Sequence, residues 1–272
     1  MAKQQRLLVK PKQSLGQNFL IDENIIRKII SEFHPSPDDV VVEVGPGNGA
    51  LTAELAGRVN HLVTVEIDGR IIASLNERFA SPNVTIIHQD ILDLDFPAVH
   101  QQWNHPLRII GNLPYHLTSP ILFKCFDAAG VIGDLTIMVQ REVAQRITAR
   151  VGTKAYGILS VLTQYYATSR LLFQVSPGCF YPKPKVTSSV LRIAFRHPPS
   201  GTNDQVLFRT VVRTAFGKRR KTLRNCLEYF PSIQLNIPEL EKELSFPLHR
   251  RAEQLTLREF VELADRIESQ IR

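Results

Sequence analysis

Asn112-Leu113-Pro114-Tyr115 places an amide, a proline and an aromatic ring within four consecutive residues. Those residue types suit one task, gripping the exocyclic amino group of a base taken out of its stack. The Asn112 side-chain oxygen and the Leu113 carbonyl can accept the two amino hydrogens. Pro114 stiffens the turn and removes a competing donor, while Tyr115 offers a flat face for stacking. An ordinary Asn-Pro turn carries the same letters, so the surroundings must decide.

A second cluster lies upstream. Val40-Val41-Val42-Glu43-Val44 runs into Gly45-Pro46-Gly47-Asn48-Gly49-Ala50, and a glycine loop between strand and helix lets a ligand approach the backbone closely. Gly45 and Gly47 are therefore candidate cofactor contacts, although the spacing also satisfies a loose dinucleotide pattern. Glu66 closes the run Val63-Thr64-Val65, where a carboxylate can accept from both ribose hydroxyls. Asp90 follows Ile86-Ile87-His88-Gln89, placed to accept from an adenine amino group. Each has a mundane alternative, Glu66 as a surface acid and Asp90 as a helix cap. Together, beside a glycine loop, they describe an adenosine pocket. NAD and S-adenosylmethionine share adenosine. Hydride transfer calls for an acid–base group, and His88, His100, His105 and His116 form no such constellation. The Asn-Leu-Pro-Tyr loop fits methyl transfer to an amino nitrogen instead.

Positioning these groups requires strand ends. Apolar runs at Val40–Val44, His61–Ile67, Val84–His88, Leu107–Ile110 and Leu135–Val139 read as buried strands. Ala50–Gly57, Gly69–Phe79 and Ser119–Ala129 between them have helical spacing. This alternation predicts an α/β fold, an open and mostly parallel sheet with helices on both faces. Ala155–Ala167 reads as a further helix, and Leu171–Val175 and Ser189–Phe195 as two closing strands. The stretch from Arg196 to Asp204 is rich in turn formers and reads as a linker. Beyond it Phe208–Tyr229, Ile237–Leu244 and Thr256–Gln270 are patterned as helices, with Thr256 and Glu259 spaced as a capping box. Two domains are expected, residues 1–199 and an all-helical domain over residues 200–272.

Charge narrows the partner. From Val143 to Leu227 there are 15 Lys or Arg residues and one acid, Asp204, whereas the rest of the chain holds 18 bases and 25 acids. A basic block of this kind suits a polyanion, because each neutralised phosphate releases counterions. Cys125, Cys179 and Cys226 are widely spaced and read as free thiols in a reducing compartment. Met1 to Lys12 lacks the apolar block of a secretory signal, and no apolar run approaches membrane-spanning length. A cytoplasmic, monomeric protein without a membrane partner is expected.

These motifs, with Leu15-Gly16-Gln17-Asn18-Phe19-Leu20 and Phe180-Tyr181-Pro182-Lys183-Pro184-Lys185-Val186-Thr187-Ser188, resemble the small-subunit ribosomal RNA adenine N6,N6-dimethyltransferases. Arg219-Arg220-Lys221-Thr222-Leu223-Arg224-Asn225 and Arg251-Ala252-Glu253-Gln254-Leu255 are similar to the bacterial small-subunit branch. The resemblance implies a Rossmann-like methyltransferase sheet that consumes S-adenosylmethionine as methyl donor. Asn18 and Leu20 would close over the cofactor, with Gly45, Glu66, Asp90 and Asn112 completing its surface. Two neighbouring adenosines in a hairpin near the 3′ end of 16S rRNA, in an assembling small subunit, would each be methylated twice. Phe180 is the expected stacking face opposite Tyr115, and Arg219, Arg220, Lys221 and Arg224 the expected RNA contacts. The chemistry calls for no metal, since the departing thioether is neutral. A large-subunit enzyme of the erythromycin-resistance type and a non-catalytic RNA-binding module are the competing readings.

Overall fold

The computed structural model describes residues 9–196, 204–218, 220–231 and 233–271. Residues 197–203 of the expected linker and Arg219 of the expected RNA contacts lie outside them. The chain forms β1 (Phe19–Leu20), α1 (Glu23–Phe33), β2 (Val40–Val44), α2 (Ala50–Leu55), β3 (His61–Glu66), α3 (Gly69–Arg78) and β4 (Val84–His88). Next come α4 (Phe96–Trp103), β5 (Leu107–Asn112), α5 (Thr118–Asp127), β6 (Ile132–Gln140), α6 (Arg141–Ile147) and α7 (Ile158–Tyr166). Strands β7 (Ala167–Val175), β8 (Phe180–Tyr181) and β9 (Ser188–Phe195) are followed by α8 (Gln205–Phe216), α9 (Leu223–Leu227), α10 (Ile237–Glu243) and α11 (Leu257–Ile271).

Two compact units result, Met1–Ala144 with Thr168–Arg196 and Gln145–Ala167 with His197–Arg272. The division differs from a single break near residue 199. Helix α7, expected within the first domain, packs with α8 and α11 instead. Its Tyr165 ring stacks on Phe208 of α8 at 4.0 Å, and the Arg209 Nε donates to the Tyr166 hydroxyl at 2.8 Å. The helix expected over Phe208–Tyr229 is two helices, α8 and α9, interrupted after Phe216. Thr256 and Glu259 do form the expected capping box: the Glu259 N–H donates to Thr256 Oγ1 at 3.3 Å and the Thr256 N–H to Glu259 Oε2 at 2.7 Å. Among the described residues no helix is long and apolar enough to cross a membrane.

The first unit carries a seven-stranded sheet of order β4-β3-β2-β5-β6-β9-β7. Strands β4, β3, β2, β5 and β6 are mutually parallel, and β9 runs antiparallel to β6. Every residue of β2 is buried, as a central parallel strand covered on both faces requires. Helix α1 buries Ile26, Ile29, Ile30 and Phe33 on one stripe, and Asp22 caps it by accepting from the Asn24 and Ile25 N–H groups. Residues β1 and β8 pair as a separate two-stranded ribbon, Phe19 opposite Tyr181 and Leu20 opposite Phe180.

One charged side chain sits among these apolar elements. Arg108 of β5 donates to Asp134 on β6 at 2.9 and 3.0 Å and to Asp39 just before β2 at 2.5 Å. It also donates to the Phe33 and His34 carbonyls at the end of α1, at 2.6 and 3.0 Å. Arg192 of β9 adds two bonds to Asp134. Both carboxylates are buried, so removing the guanidinium takes the ion-pair partner from Asp39 and leaves Asp134 with Arg192 alone. Arg108→Ala should therefore lose about 3–5 kcal/mol in urea unfolding. Arg58→Ala, which breaks an exposed pair with Glu54, should lose under about 1 kcal/mol.

Candidate active site

Because β2 pairs with β3 on one side and β5 on the other, the chain reverses direction across the sheet at this pair. Loops that follow β2 and β5 therefore stand side by side at the carboxyl edge, the place where open α/β sheets bind ligands. A cavity of about 250 Å³ opens there. Asn18, Gly45, Gly47, Glu66, Asp90, Asn112, Leu113 and Tyr115 all line it. Leu20 lines a smaller recess that shares Phe19, Gly45, Gly47 and Asn112 with the main cavity. Thus residues from five separate stretches of sequence meet in one place.

The segment from Leu15 to Phe19 forms one wall. It is fastened by Gln17, whose amide nitrogen donates to Asp68 Oδ2 at 3.1 Å, and by Asn112, whose Nδ2 donates to the Asn18 carbonyl at 2.8 Å. The second bond sets the amide orientation, since only the nitrogen can donate. Asn112 Oδ1 is thereby left as the acceptor. Next to it, the Leu113 N–H is held by the Met138 carbonyl at 3.1 Å, and the Tyr115 hydroxyl meets Ser188 Oγ at 2.8 Å. Burial pushes the Tyr115 phenol above its ordinary range, so the ring remains neutral and is tethered at its far end.

On the opposite side, a β-carbon added to Gly45 would meet no protein atom within 4 Å. The space beside it is cavity, open to a ligand that approaches the backbone. Glu66 Oε1 accepts from the Ile67 and Asp68 N–H groups, each at 3.0 Å, and the Gly47 N–H also interacts with the carboxylate. Burial raises the Glu66 pKa, and those N–H bonds oppose the rise. Asp90 does cap a turn, accepting from the Leu92 N–H at 2.9 Å through Oδ1, and it lines the cavity as well. Ile67, half exposed, adds an apolar side to this wall. Carboxylates for hydroxyl and amino hydrogens, an apolar side and an uncovered glycine backbone are a donor and acceptor set that fits an adenosine-containing cofactor.

One placement departs from expectation. Phe180 does not line the cavity. It is buried with Leu20, Ile26, Ile29 and Phe33, because alternation along β8 turns it inward and its neighbour Tyr181 outward. Arg224 is exposed but paired with Glu241 at 2.7 Å, while Arg220 and Lys221 are exposed in the second unit. Glu43 is a residue that the motif alone left undistinguished. Its carboxyl is fully buried beneath the glycine loop, accepts from Thr52 Oγ1 at 2.7 Å and lines the smaller recess. A charged residue inside an otherwise all-valine strand was the available signal.

Burial, partly opposed by the Thr52 bond, pushes the Glu43 pKa from 4.5 up to about 7. A raised folded-state pKa contributes stability below about 4.5, and that contribution is lost as pH rises to about 7. Glu43→Gln keeps an acceptor for Thr52 and removes the titration. From pH 5 to pH 8 the wild type should thus lose roughly 2–3 kcal/mol relative to the variant in urea unfolding. Parallel curves would assign Glu43 an ordinary pKa.

Comparison with known proteins places this geometry. Residues 9–265 match the family model described as ribosomal RNA adenine dimethylase. A ribosomal RNA small subunit methyltransferase A from Aromatoleum aromaticum is 43% identical over 95% of this chain and 94% of its own length. Among solved structures, a dimethyladenosine transferase from Plasmodium falciparum shares the fold at TM-score 0.73, with 24% identity over 90% of this chain and 95% of that one. The 23S rRNA methyltransferase ErmE superposes at TM-score 0.69, with 26% identity over 92% of this chain and 100% of that one. With a family model spanning nearly its full length and a relative of this identity, the chain belongs to the ribosomal RNA adenine dimethylase family.

Proposed function

We propose that this chain transfers methyl groups from S-adenosylmethionine to N6 of two adjacent adenosines in a hairpin near the 3′ end of 16S rRNA. The product is N6,N6-dimethyladenosine, formed during small-subunit biogenesis. The orientation of the Asn112 amide carries the reading: its nitrogen is committed to the Asn18 carbonyl, and its oxygen is left to receive an amino hydrogen. The small-subunit relative at 43% identity favours this substrate over the large-subunit alternative.

Gly45, Gly47, Glu66 and Asp90 would hold the cofactor, with the Asn18 segment closing against it. When bound, S-adenosylmethionine supplies an electrophilic methyl group whose departure leaves a neutral thioether. The nucleophile is a poor one, because the N6 lone pair is delocalised into the purine ring. Asn112 Oδ1 and the Leu113 carbonyl accept from the two N6 hydrogens and favour a pyramidal, more reactive nitrogen. Positive charge that develops there meets the face of Tyr115. Ser188 holds that ring by its hydroxyl, so the face is preorganised rather than recruited. No residue acts as a dedicated base, and the product proton leaves to water. After one transfer the amine keeps a single hydrogen and must turn before the second. Arg219, Arg220, Lys221 and Arg224 hold the RNA in this reading. The enzyme works as a cytoplasmic monomer on an assembling subunit, and it uses neither a metal nor a membrane.

Mass spectrometry of nucleosides from unmethylated small subunits incubated with the protein and S-adenosylmethionine tests the reaction. N6,N6-dimethyladenosine is expected. No methylated adenosine, despite binding of both cofactor and subunit, would put the RNA-binding module in its place. Tyr115→Ala should lower kcat by about a hundredfold or more with cofactor affinity spared, whereas equal loss of both would make Tyr115 structural. Replacing Arg219, Arg220, Lys221 and Arg224 by Gln should reduce the slope of log affinity against log salt by about 2–3. An unchanged slope would remove this stretch from the interface.

A further inference from the structure

The loop formed by residues 182–187 is anchored at the cavity wall by both ends. At its start Tyr181 stands opposite Phe19 across the β1–β8 ribbon, and Phe19 lines the cavity. Directly opposed residues project to the same face, so Tyr181 shares the ribbon face from which Phe19 reaches the cavity. At its other end Ser188 Oγ meets the Tyr115 hydroxyl at 2.8 Å, and the Thr187 carbonyl accepts from the Arg141 N–H at 3.0 Å. Between these anchors the loop shows solvent a specific mixture. Tyr181 is 50% exposed, Lys183 and Lys185 are exposed, and Phe180, Pro184 and Ser188 are buried. The chain contains no Asp or Glu from Val143 to Asn203, so nothing acidic in this stretch offsets the two lysines. An exposed ring beside basic groups is how proteins hold single-stranded nucleic acid, the aromatic face for a base and the cations for the backbone.

We propose that Tyr181 is a stacking platform for the nucleotide next to the target adenosine, with Lys183 and Lys185 meeting its flanking phosphates. This rests on the function proposed above and adds to it an RNA contact in the first unit, separate from the basic stretch of the second. Extracting an adenine leaves its former neighbour with one face uncovered, which is part of the energetic cost of flipping. The Tyr181 ring, opposite Phe19 on the ribbon, covers that face again. Because every base has a π-face, the platform accepts either neighbour and serves both adjacent adenosines in turn.

The test compares wild type, Tyr181→Ala and Tyr181→Phe on unmethylated small ribosomal subunits. Tyr181 is solvent-exposed, so truncation removes no core contact, and an unchanged melting temperature verifies this. Tyr181→Ala should raise KM for the subunit about tenfold or more, with kcat and cofactor Kd close to wild type. Tyr181→Phe should keep the wild-type KM, since the ring and not the hydroxyl is used. Lys183→Gln with Lys185→Gln should lower the salt slope of subunit binding by about 1–2. An unchanged KM in Tyr181→Ala, or an equal loss in Tyr181→Phe, overturns the platform while leaving dimethylation by the wild type intact. A fall in kcat or cofactor affinity at constant KM overturns it too. Absence of dimethylation by the wild-type protein is a different result, which removes the function itself and the platform with it.

Discussion

At the middle of the sheet, a β-carbon on Gly111 would lie 2.5 Å from the Val44 carbonyl oxygen. No side chain fits that gap, and its closeness lets the last residue of β2, Val44, pair with Gly111, the last but one of β5. The glycine loop leaves β2 one residue later, and the Asn-Leu-Pro-Tyr loop leaves β5 at the neighbouring position. Cofactor-type and base-type chemistry are therefore adjacent because two strands are in register. Far from the cavity, at the amino ends of the same strands, Arg108 ties β5 to β6, to the residue before β2 and to the end of α1. The sheet is thus held by charge at one edge and left free to present loops at the other.

The remaining wall is brought in from a distance. Phe19 and Leu20 pair with Tyr181 and Phe180, joining an early segment to a late one. A two-residue ribbon has little stability alone. Here Leu20 and Phe180 are buried in the same core cluster, and Phe19 packs against Gly47 so closely that a β-carbon there would strike its ring at 2.8 Å. Closing the site and completing the core are consequently one event.

Val40–Val44 could be read to the residue because a parallel strand buried on both faces leaves a continuous apolar run, and the partly exposed edge strand Val84–His88 also matches to the residue. The cavity-lining acids were legible because their position at strand ends is itself a signal. What stayed hidden depends on contacts between remote residues. Helix α1 escaped notice although its cap and apolar stripe were present. The pairing of β1 with β8 involves too few residues to leave a pattern, so nothing in the sequence decided between the inward Phe180 and the outward Tyr181. Nor could periodicity show that α7 joins α8 and α11, since a helix with buried residues on most of its surface names no partner. The role of Arg108 in an apolar strand was equally unreadable, because its acceptors come from three other parts of the chain.

The amide of Asn112 has a consequence for which side chains this position tolerates. A carboxylate would welcome an amino hydrogen as readily, and more strongly, than the amide oxygen does. It has no hydrogen to offer, however, and would set a negative oxygen against the Asn18 carbonyl. Aspartate would therefore exchange a closed wall for a better grip on the target. Asparagine is the side chain of this length that faces both ways, donor to its own chain and acceptor to a guest, so the same residue that reads the base also reports whether the door behind it has shut.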